Sequence, residues 1–116
     1  MHTEIYAKLD GTPPRFHAHA GDRIQRALRR WSRRLTKVRV FLRDENGPRG
    51  GIDTSCRLML ETERSGAIVA TGRGSDAWSA LSAALQRARE RVRRREQRRV
   101  SKVRTRSARR DLLNAA

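Results

Sequence analysis

Two hydrophobic periods alternate along the chain. Residues 4–9 switch with a period of two, Ile5, Ala7 and Leu9 against Glu4, Tyr6 and Lys8, which predicts a short strand with one buried face. Asp10-Gly11-Thr12-Pro13-Pro14 breaks it. From about Pro14 to Arg34 the period becomes helical. Phe16, Ala20, Ile24, Leu28, Trp31 and Leu35 recur at spacings of three and four and form one apolar face, with Arg26, Arg29, Arg30 and Arg33 opposite it. Pro14 suits a first helical turn. Gly21 weakens the helix by about 1 kcal/mol relative to alanine.

Residues 37–43 alternate again, with Val38, Val40 and Leu42 facing inward and Arg39, Phe41 and Arg43 outward. The glycines, Asn46 and Pro48 of residues 44–51 mark a loop. A third strand is predicted near 55–63, with Cys56, Leu58 and Leu60 on one face. Ser65-Gly66 reads as a tight turn into a fourth strand, Ala67–Arg73. Ser75 suits a helix N-cap, and Asp76 suits the positive end of the helix dipole. Trp78, Leu81, Leu85, Ala88 and Val92 then step by three, four, three and four. Extending that seam reaches Glu96 and Arg99, so its core-facing part ends near Val92.

The predicted order is β-α-β-β-β-α, an α+β domain. One-sided strands and one-sided helices fit a four-stranded mixed sheet with both helices packed on one face. A right-handed crossover makes the first two strands parallel. Residues 1–95 form the domain. Residues 96–116 have no clear apolar period and read as a basic tail, either an extension of the helix or disordered until bound.

Charge changes the picture from fold to partner. The chain of 116 residues carries 28 Lys+Arg against 12 Asp+Glu, a formal net charge of +16. Such an excess repels itself and points to a polyanion. It is concentrated between Arg87 and Arg110, where thirteen basic residues face two acids, Glu90 and Glu96. On a helix Arg87, Arg91, Arg94 and Arg98 form a stripe, expected opposite the Trp78–Val92 seam. With the first-helix arginines this predicts two parallel basic ridges and a groove suited to a phosphate backbone.

Rival chemistries find little support. The lone Cys56 excludes an internal disulfide framework and fits a reducing cytoplasm. The N-terminus lacks the pattern of a signal peptide, and no apolar run reaches membrane-spanning length. His17 and His19 point apart on a helix and make no zinc pattern with His2 and Cys56. Asp44, Asn46 and Asp53 lack EF-hand spacing. No metal, cofactor or small-molecule substrate is predicted, and no catalytic constellation is found. Trp31 and Trp78 lie on apolar seams and read as core. Tyr6 and Phe41 belong on the open sheet face, too few for an RRM-type platform.

The run from Val38 to Glu61, with Asp44-Glu45-Asn46-Gly47, Gly50-Gly51-Ile52-Asp53 and Cys56, resembles a subgroup of the ribosome hibernation promoting factor and ribosome-associated inhibitor family. Asp76-Ala77-Trp78-Ser79-Ala80-Leu81 resembles the start of that family's last helix. The resemblance covers about residues 4–95. It implies the same element order and binding to rRNA of the small ribosomal subunit in the decoding region. There such proteins hold ribosomes inactive when growth slows by blocking tRNA and mRNA. By position it implies RNA contacts at Arg26, Arg30 and Arg33 and at Arg87, Arg91, Arg94 and Arg95, and the stripe adds Arg98. The separate C-terminal dimerisation domain of long members is missing from these residues, which implies the short form. The competing reading is a general nucleic-acid binder, a nucleoid or RNA-coating protein. A third class is a module for an acidic partner or an anionic membrane, which suits the last helix poorly because its apolar stripe is needed for the core.

Overall fold

A computed structural model describes residues 1–8, 15–44, 54–63 and 66–114. Its elements are β1 (His2–Lys8), α1 (Phe16–Ala27), a 3-10 turn (Arg29–Trp31), β2 (Leu35–Asp44), β3 (Thr54–Thr62), β4 (Ala67–Gly74) and α2 (Ala77–Asn114). The strands form one mixed sheet in the order β1-β2-β3-β4, parallel between β1 and β2 and antiparallel thereafter. This is the predicted α+β order. The loop of residues 45–53, Pro14 and the Ser65 half of the tight turn lie outside the described residues.

Register explains the core. Ile5, Val40, Leu58 and Ala70 form one cross-sheet row, and Ala7, Leu42, Cys56 and Gly72 form the next. These rows face the helices, where Phe16, Ile24, Leu28, Leu81 and Ala84 complete a fully buried cluster. On β4 the inward side chains shrink from Ile68 to Ala70 to Gly72. A Cβ on Gly72 would lie 2.7 Å from the Ala80 carbonyl oxygen, and one on Gly74 would lie 2.6 Å from the Ala80 nitrogen. The backbone of α2 therefore touches the backbone of β4, a contact open only to glycine. Gly66, at φ +73°, supplies the left-handed residue of the hairpin turn, and its carbonyl accepts bonds from both Thr62 N–H and Thr62 Oγ1.

Three boundaries differ from expectation. The first helix does not run to Arg34. It ends at Ala27, and Trp31 N–H, Ser32 N–H and Arg34 N–H each donate three residues back. That tighter winding keeps Leu28 and Trp31 on one face while the chain turns. Leu35 continues the helical spacing yet begins β2. A bulge at Thr36 inserts one residue against Glu61–Thr62, so Leu35 and Val38, three apart, both point inward. The N-cap of α2 is Asp76, not Ser75: Asp76 Oδ1 accepts the Ser79 N–H at 2.7 Å, which holds its carboxyl below the usual carboxylate range.

Beyond Val92, the last buried core residue among the described side chains, α2 continues without a break to Asn114. At 1.5 Å per residue this is about 33 Å of helix past the core. It gives the molecule its 70 Å long axis. Residues 96–116, for which helix and disorder were both open, are helical as far as Asn114. Arg98, Ala108, Arg109 and Leu112 on this segment are exposed.

Two glycines predict opposite responses. A Cβ at Gly21 meets nothing within 4 Å. Gly21→Ala should therefore raise unfolding free energy by about 1 kcal/mol, and Gly72→Ala should lower it by about 1–3 kcal/mol through overpacking. Urea denaturation of the two variants checks both signs.

Candidate nucleic-acid interface

The helices lie side by side and run the same way. At one end Phe16 packs on Trp78, with ring centroids 4.7 Å apart. At the other end Glu96 joins them. Its Oε2 accepts the Trp31 Nε1–H at 3.0 Å, and its Oε1 accepts Arg34 Nη1 at 2.6 Å. Glu96 thus ends the apolar seam of α2 with a polar clamp. It satisfies the indole of an otherwise buried Trp31 while its charge is balanced by Arg34.

These anchors orient the remaining arginines. The Arg23 guanidinium lies 5.7 Å over the Trp78 ring, which puts it on the flank of α1 that faces α2; that of Arg30 lies 5.8 Å over the ring of its neighbour Trp31, whose indole reaches Glu96 of α2. On α2, Arg89 follows Trp78 by eleven residues, about three turns, and Arg93 precedes Glu96 by three. Helical period therefore places Arg89 and Arg93 on the flank toward α1, and both are exposed. The groove between the helices is bordered by Arg23 and Arg30 on one side and by Arg89 and Arg93 on the other.

The stripe read from sequence occupies a different place. Arg87 Nη1 donates to the Thr71 carbonyl at 2.8 Å, and Arg91 Nη1 donates to the Val69 carbonyl. Thr71 and Val69 are alternate residues of β4, an edge strand paired only with β3. Arg87 and Arg91 therefore sit on the outer flank of α2, over the open edge of the sheet, and not opposite the core seam. They occupy carbonyls that would otherwise invite another strand. Arg94, Arg95 and Arg98 follow on that flank and are exposed. On the first helical segment Arg26 is exposed and borders a cleft with Met1, Asp22, Gln25, Arg29 and Ser32. Arg33 is exposed in the turn leading to β2.

Of the residues named from sequence, Arg87 and Arg91 bond the β4 edge, while Arg26 and Arg30 follow Arg23 by three and seven residues along the first helical segment; Arg23, Arg89 and Arg93 were not among those named. The signal for Arg89 was present in the eleven-residue step from Trp78.

Other chemistry is sparse. Cys56 is buried, and that burial pushes its thiol up to about 12, so it remains protonated and unreactive near neutrality. Among the described residues no three His, Cys, Asp or Glu side chains gather to hold a metal. No described helix is long and apolar enough to cross a membrane.

No protein-family model matches the chain, and no curated protein matches it in sequence. Among solved structures it is similar to a ribosomal subunit interface protein from Coxiella burnetii, with a TM-score of 0.70 and 8% identity over 84% of this chain and 99% of that one. The likeness is one of fold, and it is consistent with the family resemblance carried by Val38–Glu61.

Arg87→Ala with Arg91→Ala should lower stability by about 1 kcal/mol per lost bond and expose the β4 edge, giving a lower melting temperature and concentration-dependent self-association in light scattering. Arg89→Ala should change neither. Cys56 should resist thiol reagents at neutral pH in the folded protein and react once urea unfolds it. Because its folded value lies above its unfolded one, its contribution to stability is complete below about pH 9 and declines as pH rises toward about 12.

Proposed function

We propose that this protein is a ribosome-associated inhibitor of translation. It seats its two helices on phosphates of small-subunit rRNA in the decoding region and excludes tRNA and mRNA by occupying their space. As a hibernation factor it acts in the cytoplasm and carries out no bond chemistry. The observation that carries this reading is the Arg-bordered groove between two parallel helices, on a fold shared with a ribosomal subunit interface protein. The groove is bordered by guanidinium groups that pair well with phosphate oxygens, and its floor is braced at both ends by aromatic rings. Binding of this kind draws on counterion release. With six to ten phosphate contacts, affinity should fall about 10³–10⁵-fold between 50 and 200 mM salt.

In this reading Arg23, Arg30, Arg89 and Arg93 face the RNA most directly. Arg26, Arg33, Arg94, Arg95 and Arg98 widen the footprint. Arg87 and Arg91 hold the sheet edge and add charge. A second reading, a general nucleic-acid coat, is favoured by one feature, the cationic continuation of α2 beyond the core.

Co-sedimentation with small subunits at near-physiological salt, with bulk RNA and DNA as competitors, separates the two. The inhibitor reading expects saturation near one copy per subunit, resistance to competitor and loss of tRNA binding. Arg89→Glu with Arg93→Glu should abolish this while leaving the melting temperature unchanged. Binding that does not saturate and is stripped by any nucleic acid overturns the reading in favour of the coat.

A further inference from the structure

The sheet has a second face, and no described element covers it. Its cross-strand rows are Glu4, Arg39, Met59 and Val69, and then Tyr6, Phe41, Arg57 and Thr71. The chain has five aromatic residues of the Phe, Trp and Tyr types. Phe16 and Trp31 are buried in the core and Trp78 packs against it, while the other two meet on this open face. Tyr6 and Phe41 stack with ring centroids 5.3 Å apart and planes 13° from parallel, yet they remain 50% and 38% exposed.

The stack is held in place. Tyr6 Oη donates to Glu4 Oε2 at 2.8 Å, and Lys37 Nζ lies 3.0 Å from Glu4 Oε1. Arg39 bridges Glu4 to Glu61 at 3.6 and 3.7 Å. The face's two acids are thereby neutralised by its own bases. Arg57 stands directly across from Phe41, and Arg43 lies two residues further along the same strand face. Among the described residues neither is ion-paired. An oriented aromatic stack beside two available guanidinium groups is the pattern that binds unpaired bases and their phosphates. An acidic protein surface would use the arginines and leave the rings without a matching partner.

We propose that this open face binds an unpaired stretch of RNA. One base continues the Tyr6–Phe41 stack, and Arg57 and Arg43 meet the flanking phosphates, so the domain contacts RNA on both sides. The proposal rests on the reading that RNA is the partner. It adds a second site of different chemistry, stacking on the sheet against phosphate pairing on the helices.

The test uses the full chain and a short oligouridine carrying 5-iodouridine, followed by fluorescence anisotropy and by photocrosslinking with peptide mapping. The crosslink should fall on Tyr6 or Phe41. Phe41→Ala should weaken binding about tenfold, the usual worth of one stacked base. Tyr6→Phe should stay within about twofold, since it keeps the ring. Phe41→Leu preserves strand packing and should weaken binding as Phe41→Ala does, which separates lost stacking from misfolding. Arg89→Glu with Arg93→Glu should retain the crosslink while losing the ribosome. If Phe41→Leu binds normally, the crosslink maps elsewhere, or polyglutamate competes as well as oligouridine, the sheet-face site is overturned. Loss of oligouridine binding with intact ribosome sedimentation in Phe41→Leu supports it and leaves the helix reading untouched. Failure of the wild-type chain to sediment with ribosomes, with the Tyr6 or Phe41 crosslink intact, sinks the helix reading alone.

Discussion

The backbone contact between α2 and β4 governs the rest of the structure. Gly72 and Gly74 have no side chains, so the helix settles directly on the strand at its first turns. Further along, Ala70 and then Ile68 stand between them, and the space beneath the helix widens in the direction in which it runs. This taper fixes the rotation and path of α2. Ala80, Ala84 and Ala88 face inward, Arg87 and Arg91 fall over the β4 edge, and Glu96 reaches Trp31. A helix resting on larger side chains would lie further out, and those bonds would not close.

With that path fixed, the excess positive charge is divided among distinct tasks. Some arginines complete the fold: Arg87 and Arg91 occupy edge carbonyls, and Arg34 balances Glu96. Others lie on aromatic rings, as Arg23 and Arg30 do. Lys37 and Arg39 pair with Glu4 and Glu61 on the sheet, and Arg89, Arg93, Arg94 and Arg98 are exposed on α2. A formal charge of +16 therefore says nothing of how particular its distribution is. In the proposed reading the helix face offers guanidinium groups to phosphate, and the sheet face adds two stacked rings to its own arginines.

Much of the fold was legible in the sequence. Strands and helices bury one face each, and their periods of two and near four leave a direct trace in residues such as Val38, Val40 and Leu42 or Trp78, Leu81 and Leu85. Where boundaries were misread, the sequence carried a period belonging to a different geometry. Leu35 falls four residues after Trp31 and three before Val38, and a bulge in β2 lets it point inward as a strand residue at that three-residue step. The helix end at Ala27 is hidden because a 3-10 turn keeps Leu28 and Trp31 on the same side.

What the sequence by itself determined was the element order, the inward residues and the concentration of basic charge, which follow from local period and composition; the family resemblance rests instead on particular residues of Val38–Glu61 and Asp76–Leu81. What tertiary structure decided was the direction in which each charge points. Arg87, Arg89, Arg91 and Arg93 are chemically identical on one helix; helical period separates the first and third from the second and fourth, but which flank meets the sheet edge and which meets the first helix is set by packing. Two glycines on another strand rotate that helix so that Arg87 and Arg91 serve the sheet edge while Arg89 and Arg93 border the groove. Likewise Tyr6 and Phe41 are thirty-five positions apart in sequence, and only the parallel register of β1 and β2 turns two isolated aromatics into one surface.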